Sequence, residues 1–354
     1  NMKNLNSEVE NLLSQVMKES SVTGVTVLAG TQEKITFSYS IGQVHSSEKE
    51  KITSDTLFDI QSITKVLATA SLLEKFIELK KLNLNDPIRK FISEFDVAKY
   101  AEIKVKDLVL HTSGISDEDF NETYANSEEL WSKMLSPPLH GMPGKSTEYS
   151  DVGYRLLGLC LERLENDDLE SLCKKHVWRP LGMNSTTYDV TKIEKKNIAG
   201  HGKNWCKVDD SQDQLLDRPL GCDGVFSSAN DLSLFCQNFL KKFNDEAYLK
   251  KFMAVQRGDI NPKWSFYESL GLGKKIYGWE AHSKEQSYIG KCHTPMTIEK
   301  AGGGGAFISI RPEQKDFFIY MTNNGRPHPF TMDAWDHLVT SLRSGDLAKK
   351  VLSK

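Results

Sequence analysis

At 354 residues the chain is long enough to bury a large core and, at about 150 residues per domain, to make two compact lobes. Its 39% hydrophobic and 26% charged residues are those of a globular protein, and a net charge of −3 without any basic block argues against a nucleic-acid partner. No run approaches the ~18 uninterrupted apolar residues of a membrane helix, so no membrane span is expected.

The first predicted element is an amphipathic helix from Lys3 to Ser21, too polar for a signal-peptide core. With Asn1 ahead of Met2, this reads as a native start without an export signal, and a cytoplasmic location is expected unless a signal has been removed. Two strand-like runs, Val22 to Ala29 and Lys34 to Val44, flank Gly30-Thr31-Gln32-Glu33 and make a hairpin. From Ile63 the apolar residues Ile63, Val66, Leu67, Ala70, Leu73, Phe76 and Ile77 have the three-and-four spacing of one buried helix face. Asparagine, aspartate and proline between Leu82 and Pro87 stop that helix. The middle, to about Leu215, reads as helical: Ile88 to Phe95, Lys106 to Leu110, Glu128 to Leu135, Gly153 to Leu164 and Leu169 to Val177. Strand character returns at Gly271 to Trp279, Ala306 to Ile310 and Phe317 to Thr322, before a closing helix from Thr331 to Leu342.

These elements imply an α/β protein of the α+β kind. One antiparallel sheet is built from the N- and C-terminal parts and flanked by helices, with a mainly helical lobe inserted. In boundaries, residues 1–60 and 216–354 would form the sheet domain and 61–215 the helical domain, with the active site at their interface. The cysteines (Cys160, Cys173, Cys206, Cys222, Cys236 and Cys292) show no Cys-x-x-Cys pair and no metal-ligand spacing, and read as reduced, mostly core thiols. No metal site is expected.

Three stretches carry chemistry. In Phe58-Asp59-Ile60-Gln61-Ser62-Ile63-Thr64-Lys65 a serine and a lysine three apart open a buried helix, so the amine can reach the hydroxyl and the helix start offers N–H groups to an oxyanion. The same spacing recurs at Ser46 and Lys49 in a solvated polar run and at Ser171 and Lys174 in a charged helix; only Ser62 follows an extended apolar segment. Tyr149 sits in a loop just before a helix, where a packing aromatic with a satisfied hydroxyl is the alternative reading. Lys300-Ala301-Gly302-Gly303-Gly304-Gly305 opens a strand with glycines that admit a close backbone approach, and no Gly-Lys-Ser/Thr follows to make a phosphate loop. Lys300 alone could be an exposed strand-end lysine.

Taken with the surrounding sequence, this set resembles the serine β-lactamases and penicillin-recognising peptidases, and within them the class C-like branch. That branch includes class C β-lactamases, D-alanyl-D-alanine carboxypeptidases, D-aminopeptidases and esterases. The resemblance runs from about Leu57 to Asn324 and includes Leu108 to Ile115, Tyr149 to Gly158, Arg179 to Thr186 and Asp223 to Leu232. It implies a β-lactamase/transpeptidase-like fold and an acyl-enzyme on Ser62, formed without cofactor from a small-molecule acyl substrate. By the same resemblance Lys65 helps remove the Ser62 proton, and Tyr149 is the second acid/base, its pKa lowered by Lys65 and Lys300. Lys300 supplies positive potential, Gly302 lies along the substrate, and the N–H groups of Ser62 and Gly303 form the oxyanion hole. His111 is assigned a structural role, and the absence of Gly-x-Ser-x-Gly argues against an α/β-hydrolase elbow.

Two residues depart from the β-lactam-hydrolysing members. Asp151 replaces an asparagine that binds an acylamino substrate, which points to a substrate with a free amino group. Ala301 replaces a hydroxyl that helps hold a substrate carboxylate. Three functions therefore stay open: an esterase or D-aminoacyl amidase, a penicillin-binding carboxypeptidase or class C-type β-lactamase, and a non-catalytic binding protein of the same fold. Oligomeric state is not legible.

Overall fold

The computed structural model describes residues 2–254, 256–257, 274–282, 284–327, 334, 337–338 and 341–352. Helix α1 (Met2–Glu19) buries Leu5, Val9, Leu13 and Val16 along one stripe. Strands β1 (Gly24–Thr31) and β2 (Ile35–Gly42) form the expected hairpin, with a register shift between Ala29 and Gly30. β3 (Phe58–Asp59) pairs with β4 (Phe226–Ser227) in a separate two-stranded ribbon that the sequence did not announce, because two residues carry no periodicity.

After β3 the chain differs from the regular helix expected. A 3-10 turn at Gln61–Ile63 runs into a π-helical segment, Lys65–Ala70, and only Ser71–Glu78 is α-helical (α2). Apolar spacing reports which face is buried and not which hydrogen-bond register winds it; Ser71 Oγ donates to the carbonyl of Val66, five residues back, at 2.6 Å. The middle part is helical as expected: α3 (Val105–Val109), α4 (Ser127–Met134), α5 (Asp151–Glu165), α6 (Leu169–Cys173) and α7 (Ser211–Leu216). The stretch Ile88 to Phe95 is two 3-10 turns, Ile88–Lys90 and Ser93–Phe95. Then come α8 (Ala229–Lys242) and α9 (Glu246–Ala254).

The rest of the sheet follows as β5 (Gln256–Arg257), β6 (Lys274–Ile276), β7 (Trp279–Ala281), β8 (Ile298–Ala301), β9 (Phe307–Arg311) and β10 (Asp316–Thr322). Its order is β2-β1-β10-β9-β8-β7-β6-β5, every pair antiparallel. The single strand expected over Gly271 to Trp279 is a hairpin instead, turned at Tyr277 and Gly278, both with positive φ (49° and 87°); residues 271–273 lie outside the described residues. Most of the expected closing helix, Thr331 to Leu342, also lies outside them, although Leu338 and Leu342 are buried. A further helix, α10 (Ser344–Leu352), ends the described chain and buries Leu347, Ala348 and Val351 in the same core as Leu5 and Val9.

Period-two alternation assigns the two faces of the sheet. Phe317, Ile319 and Met321 of β10 face the large core shared with α5 and α8, whereas Phe318 and Tyr320 face the smaller core under α1 and α10. On β8, Ile298 and Lys300 alternate with Glu299, which accepts from His282 Nδ1, Ser287 Oγ and Ser309 Oγ at 2.6, 3.0 and 2.5 Å. The alternation therefore puts Lys300 on the face that meets the start of α5. No helix among the described residues is long and apolar enough to cross a membrane.

Candidate active site

Ser62 is presented by a strained turn. Gln61 has φ 45°, a left-handed conformation of the kind that clusters at functional sites, and is held by its N–H donating to Asp59 Oδ1 at 3.0 Å. The adjoining backbone is pinned by Ile60 N to the carbonyl of Val225 (3.0 Å) and by Val225 N to Thr64 Oγ1 (3.1 Å). Lys65, the first residue of the π-helical segment, is fully buried, and its amine turns back to Ser62 Oγ at 3.0 Å. The Tyr149 hydroxyl lies 3.0 Å from the same oxygen.

Tyr149 is positioned by the start of α5. Asp117, in a loop too irregular to read from sequence, accepts from Ser150 Oγ (2.8 Å), Asp151 N (2.7 Å) and Val152 N (3.1 Å), and so caps that helix with a carboxylate. His111 accepts from Ser150 N at Nδ1 (2.9 Å) and stacks on the Tyr149 ring at 4.5 Å. Burial, and then the charges of Lys275, Lys300 and Lys65, hold its pKa well below 6.5, so it is a neutral ring that shelves the phenol.

Three lysine amines surround the Tyr149 ring: Lys65 at 4.9 Å, Lys300 at 5.1 Å and Lys275 at 5.5 Å from its centroid. Lys275 and its carboxylate partner Glu280 were missed by sequence reasoning, since neither lies in a motif and their strands meet the site only in the folded sheet. Glu280 Oε1 accepts from Lys300 at 2.7 Å and Lys275 at 3.2 Å, all three side chains being at most 2% exposed.

Burial lowers Lys300 to about 8, with Glu280 opposing and Lys275 and Lys65 adding to the fall. Glu280 is drawn down to about 2, because the two lysines outweigh the burial that would raise it. Lys65 behaves differently. Burial, its largest influence, pulls it down, yet Asp151, Tyr149 and Asp223 together raise it well above 10.5.

Two expectations change here. The Tyr149 phenol is pushed well above 10, not lowered: burial is the largest cause, Lys65 works against it, and Asp151 and Glu280 add to the rise. Counting cations from sequence left out both the desolvation and the buried carboxylates. Asp151, expected to face a substrate amine, has its Oδ1 2.6 Å from the Lys65 amine, and that ammonium, then Arg155, overcomes burial to hold the carboxyl near 2. Lys65 also donates to the carbonyl of Cys222 at 3.1 Å.

Ala301 pairs with Phe307 in the β8–β9 ladder, and Gly302 N donates to the Ala306 carbonyl at 2.8 Å. These residues lie against the Ser62 turn: a Cβ on Gly302 would stand 2.7 Å from the Ile60 carbonyl, and one on Gly303 2.8 Å from Gln61 Oε1. Only glycine at 302 leaves the two backbones in contact. G302A is therefore expected to displace the turn and lower kcat/KM by about a hundredfold, comparable to losing an oxyanion donor, with a smaller loss in Tm; steady-state kinetics and a thermal melt read the two.

A hydroxyl flanked at 3.0 Å by an amine and a phenol, beside a glycine-rich turn of an antiparallel sheet, is the arrangement of the active-site-serine hydrolases. The family model described as Beta-lactamase matches residues 9–341. Relatives include the D-alanyl-D-alanine-carboxypeptidase/endopeptidase AmpH of Escherichia coli (strain K12), 23% identical over 85% of this chain and 78% of that protein. A Beta-lactamase of Yersinia enterocolitica is 22% identical over 95% of this chain and 91% of its own. Among solved structures, a class C beta-lactamase in complex with cefoxitin superposes with a TM-score of 0.73, at 18% identity, covering 99% of both chains. The chain belongs to the beta-lactamase family and is a serine hydrolase with the β-lactamase/transpeptidase-like fold.

Proposed function

We propose that Ser62 is the nucleophile of an acyl-transfer reaction on small ester or amide substrates, in a cleft between the sheet and the helical part of the chain. The observation that carries this is the pair of 3.0 Å contacts on Ser62 Oγ from Lys65 and Tyr149. Once Lys65 has given up its proton, Ser62 Oγ attacks the carbonyl carbon while its own proton passes to the neutral Lys65 amine, directly or through the Tyr149 hydroxyl. The N–H groups of Ser62 and Gly303 receive the oxyanion, the tetrahedral intermediate expels the leaving group with a proton from Tyr149, and water hydrolyses the ester on Ser62. Lys300 keeps the neighbourhood of Tyr149 positive and offers a contact to a substrate carboxylate.

Lys65, held protonated by Asp151, restrains this cycle near neutrality. Accordingly, Asp151→Asn is expected to move the ascending limb of the kcat/KM profile on a neutral ester to lower pH by ~1 unit or more, since a one-unit shift needs only about 1.4 kcal/mol of differential interaction. A pH–rate series reads it, and an unmoved limb would show that Asp151 does not set the proton inventory.

A second reading, a penicillin-binding carboxypeptidase or class C-type β-lactamase, is favoured by the activities for which the relatives are named; Ala301, without a hydroxyl, and Asp151, held by Lys65, weigh against efficient β-lactam turnover. Mass spectrometry after incubation with an acyl phosphonate and, separately, with a fluorescent penicillin separates them. Phosphonate labelling of Ser62 alone supports the esterase or amidase reading, labelling by both supports the second, and labelling by neither overturns the hydrolytic assignment of Ser62.

A further inference from the structure

A small cavity opens beside the Ser62 turn, lined by Asp59, Asp209, Asp210 and Asp223 together with Gln61 and Arg326. Four carboxyl groups thus face one guanidinium. Three of the four are engaged by the protein itself. Asp59 accepts from Gln61 N at 3.0 Å and Asp209 N at 3.2 Å, and Asp209 accepts from Asn204 Nδ2 at 2.8 Å and Arg326 N at 2.6 Å. Asp210 takes the Arg326 guanidinium at 3.0 Å.

Asp223 is different. It is 8% exposed, and its Oδ1 is buried without a hydrogen-bond partner. A carboxylate can accept about four hydrogen bonds, and a buried polar atom left unmet is destabilising unless a ligand meets it. The Asp223 carboxylate also lies within 4.8 Å of that of Asp151, whose oxygen is already 2.6 Å from the Lys65 ammonium. The Asp223 side chain therefore sits one side chain away from the amine beside Ser62.

We infer that this cavity is a cation subsite that takes a primary ammonium carried by the substrate, with Asp223 as the principal acceptor. The inference rests on the hydrolase reading of Ser62 and names the substrate class within it. The cavity is far too small for a whole ligand, and so would take only the end of a side group of a molecule whose carbonyl lies at Ser62. An adjoining cleft shares Asp59, Gln61 and Asp209 with it. The amine-binding role expected of Asp151 thereby moves to a carboxyl that Lys65 leaves available.

The groups facing the subsite give it a pH signature. Burial lifts Asp59 to about 7, with Asp209 and Asp213 adding to the rise and the backbone N–H groups of Gln61 and Asp209 opposing it. Burial likewise lifts Asp223, where Lys65 opposes and Asp151, Asp213 and Asp210 add, while Arg326 faces Asp210. An empty subsite therefore holds protons that an arriving ammonium displaces, so binding strengthens as pH rises.

The test compares two nitrophenyl phosphonates, one with a primary aminoalkyl group and one with the same group N-acetylated, by the rate at which each labels Ser62. In both, the Ser62 Oγ–P bond forms as the P–O(aryl) bond breaks, nitrophenolate leaves and the hydroxyl proton passes to solvent. Between pH 5.5 and 7 an aminoalkyl amine stays charged. The expected result is labelling at pH 7 at least about tenfold faster by the amine. That advantage should shrink toward pH 5.5, and Asp223→Asn should reduce it toward parity. Equal labelling by the two at both pH values overturns the subsite while leaving the nucleophile in place, as does an advantage unchanged by Asp223→Asn. Labelling by neither overturns the hydrolase reading and the subsite with it.

Discussion

Replacing Ser62 by alanine is expected to lower kcat/KM on a small neutral ester by about 10⁴-fold or more while leaving the protein folded. The magnitude follows from what remains: the oxyanion donors and the binding surface persist, but no nucleophile does, and in comparable hydrolases such variants retain only the residual rate that positioning supplies. Stability is nearly untouched because, among the described residues, Ser62 Oγ contacts only Lys65 and Tyr149 at hydrogen-bond distance, and Lys65 keeps Asp151 at 2.6 Å and the Cys222 carbonyl at 3.1 Å. Steady-state kinetics and a thermal melt check the two halves. Retention of most of the activity would transfer the nucleophile's role elsewhere.

The second large effect is on stability. Glu280→Gln removes the carboxylate that two buried ammonium groups share at 2.7 and 3.2 Å. Breaking a buried pair from one side costs about 3–5 kcal/mol, because the remaining charge has neither water nor partner. Here the lysines can escape by giving up protons, and this fixes the sign of the pH dependence. Lys300 and Lys275 already have folded pKa values below 10.5, to about 8 in the case of Lys300, and loss of Glu280 lowers both further. A lysine of depressed folded pKa binds fewer protons folded than unfolded, so the stability it subtracts is largest at low pH. That penalty is relieved as pH rises from the folded pKa toward the unfolded value of about 10.4. The Tm deficit of E280Q relative to the unsubstituted protein should therefore be large at pH 6.5 and at least halved at pH 9.5. An equal deficit at both pH values would reduce Glu280 to a packing residue.

Much of the fold was legible because its elements are long and their burial one-sided. The hairpin of β1 and β2, the stripe on α1 and the β-rich runs at β9 and β10 each repeat a period several times, and the helical middle showed no alternation at all. Short or irregular pieces were not legible. The β3–β4 ribbon has two residues per strand, and the turn at Tyr277-Gly278 places a tyrosine at positive φ, where no sequence rule expects one. The π-helical register after Ser62 leaves the apolar spacing intact and so left no trace in it.

By itself the sequence determined the sheet-and-helix architecture, the Ser62–Lys65 spacing and the strand carrying Lys300, because each depends on residues near one another in the chain; the glycines after Lys300, expected to open a strand, form the turn between β8 and β9. Only the tertiary structure decided the state of the site. Lys275 and Glu280 reach Tyr149 from neighbouring strands, Asp151 closes on Lys65, and Asp223 is left with an unmet oxygen beside them. The physical reason is that protonation depends on burial and on charges a few ångströms away, and residues separated by 86 to 210 positions, such as Lys65 with Asp151 and Lys275, acquire those distances only when the chain folds.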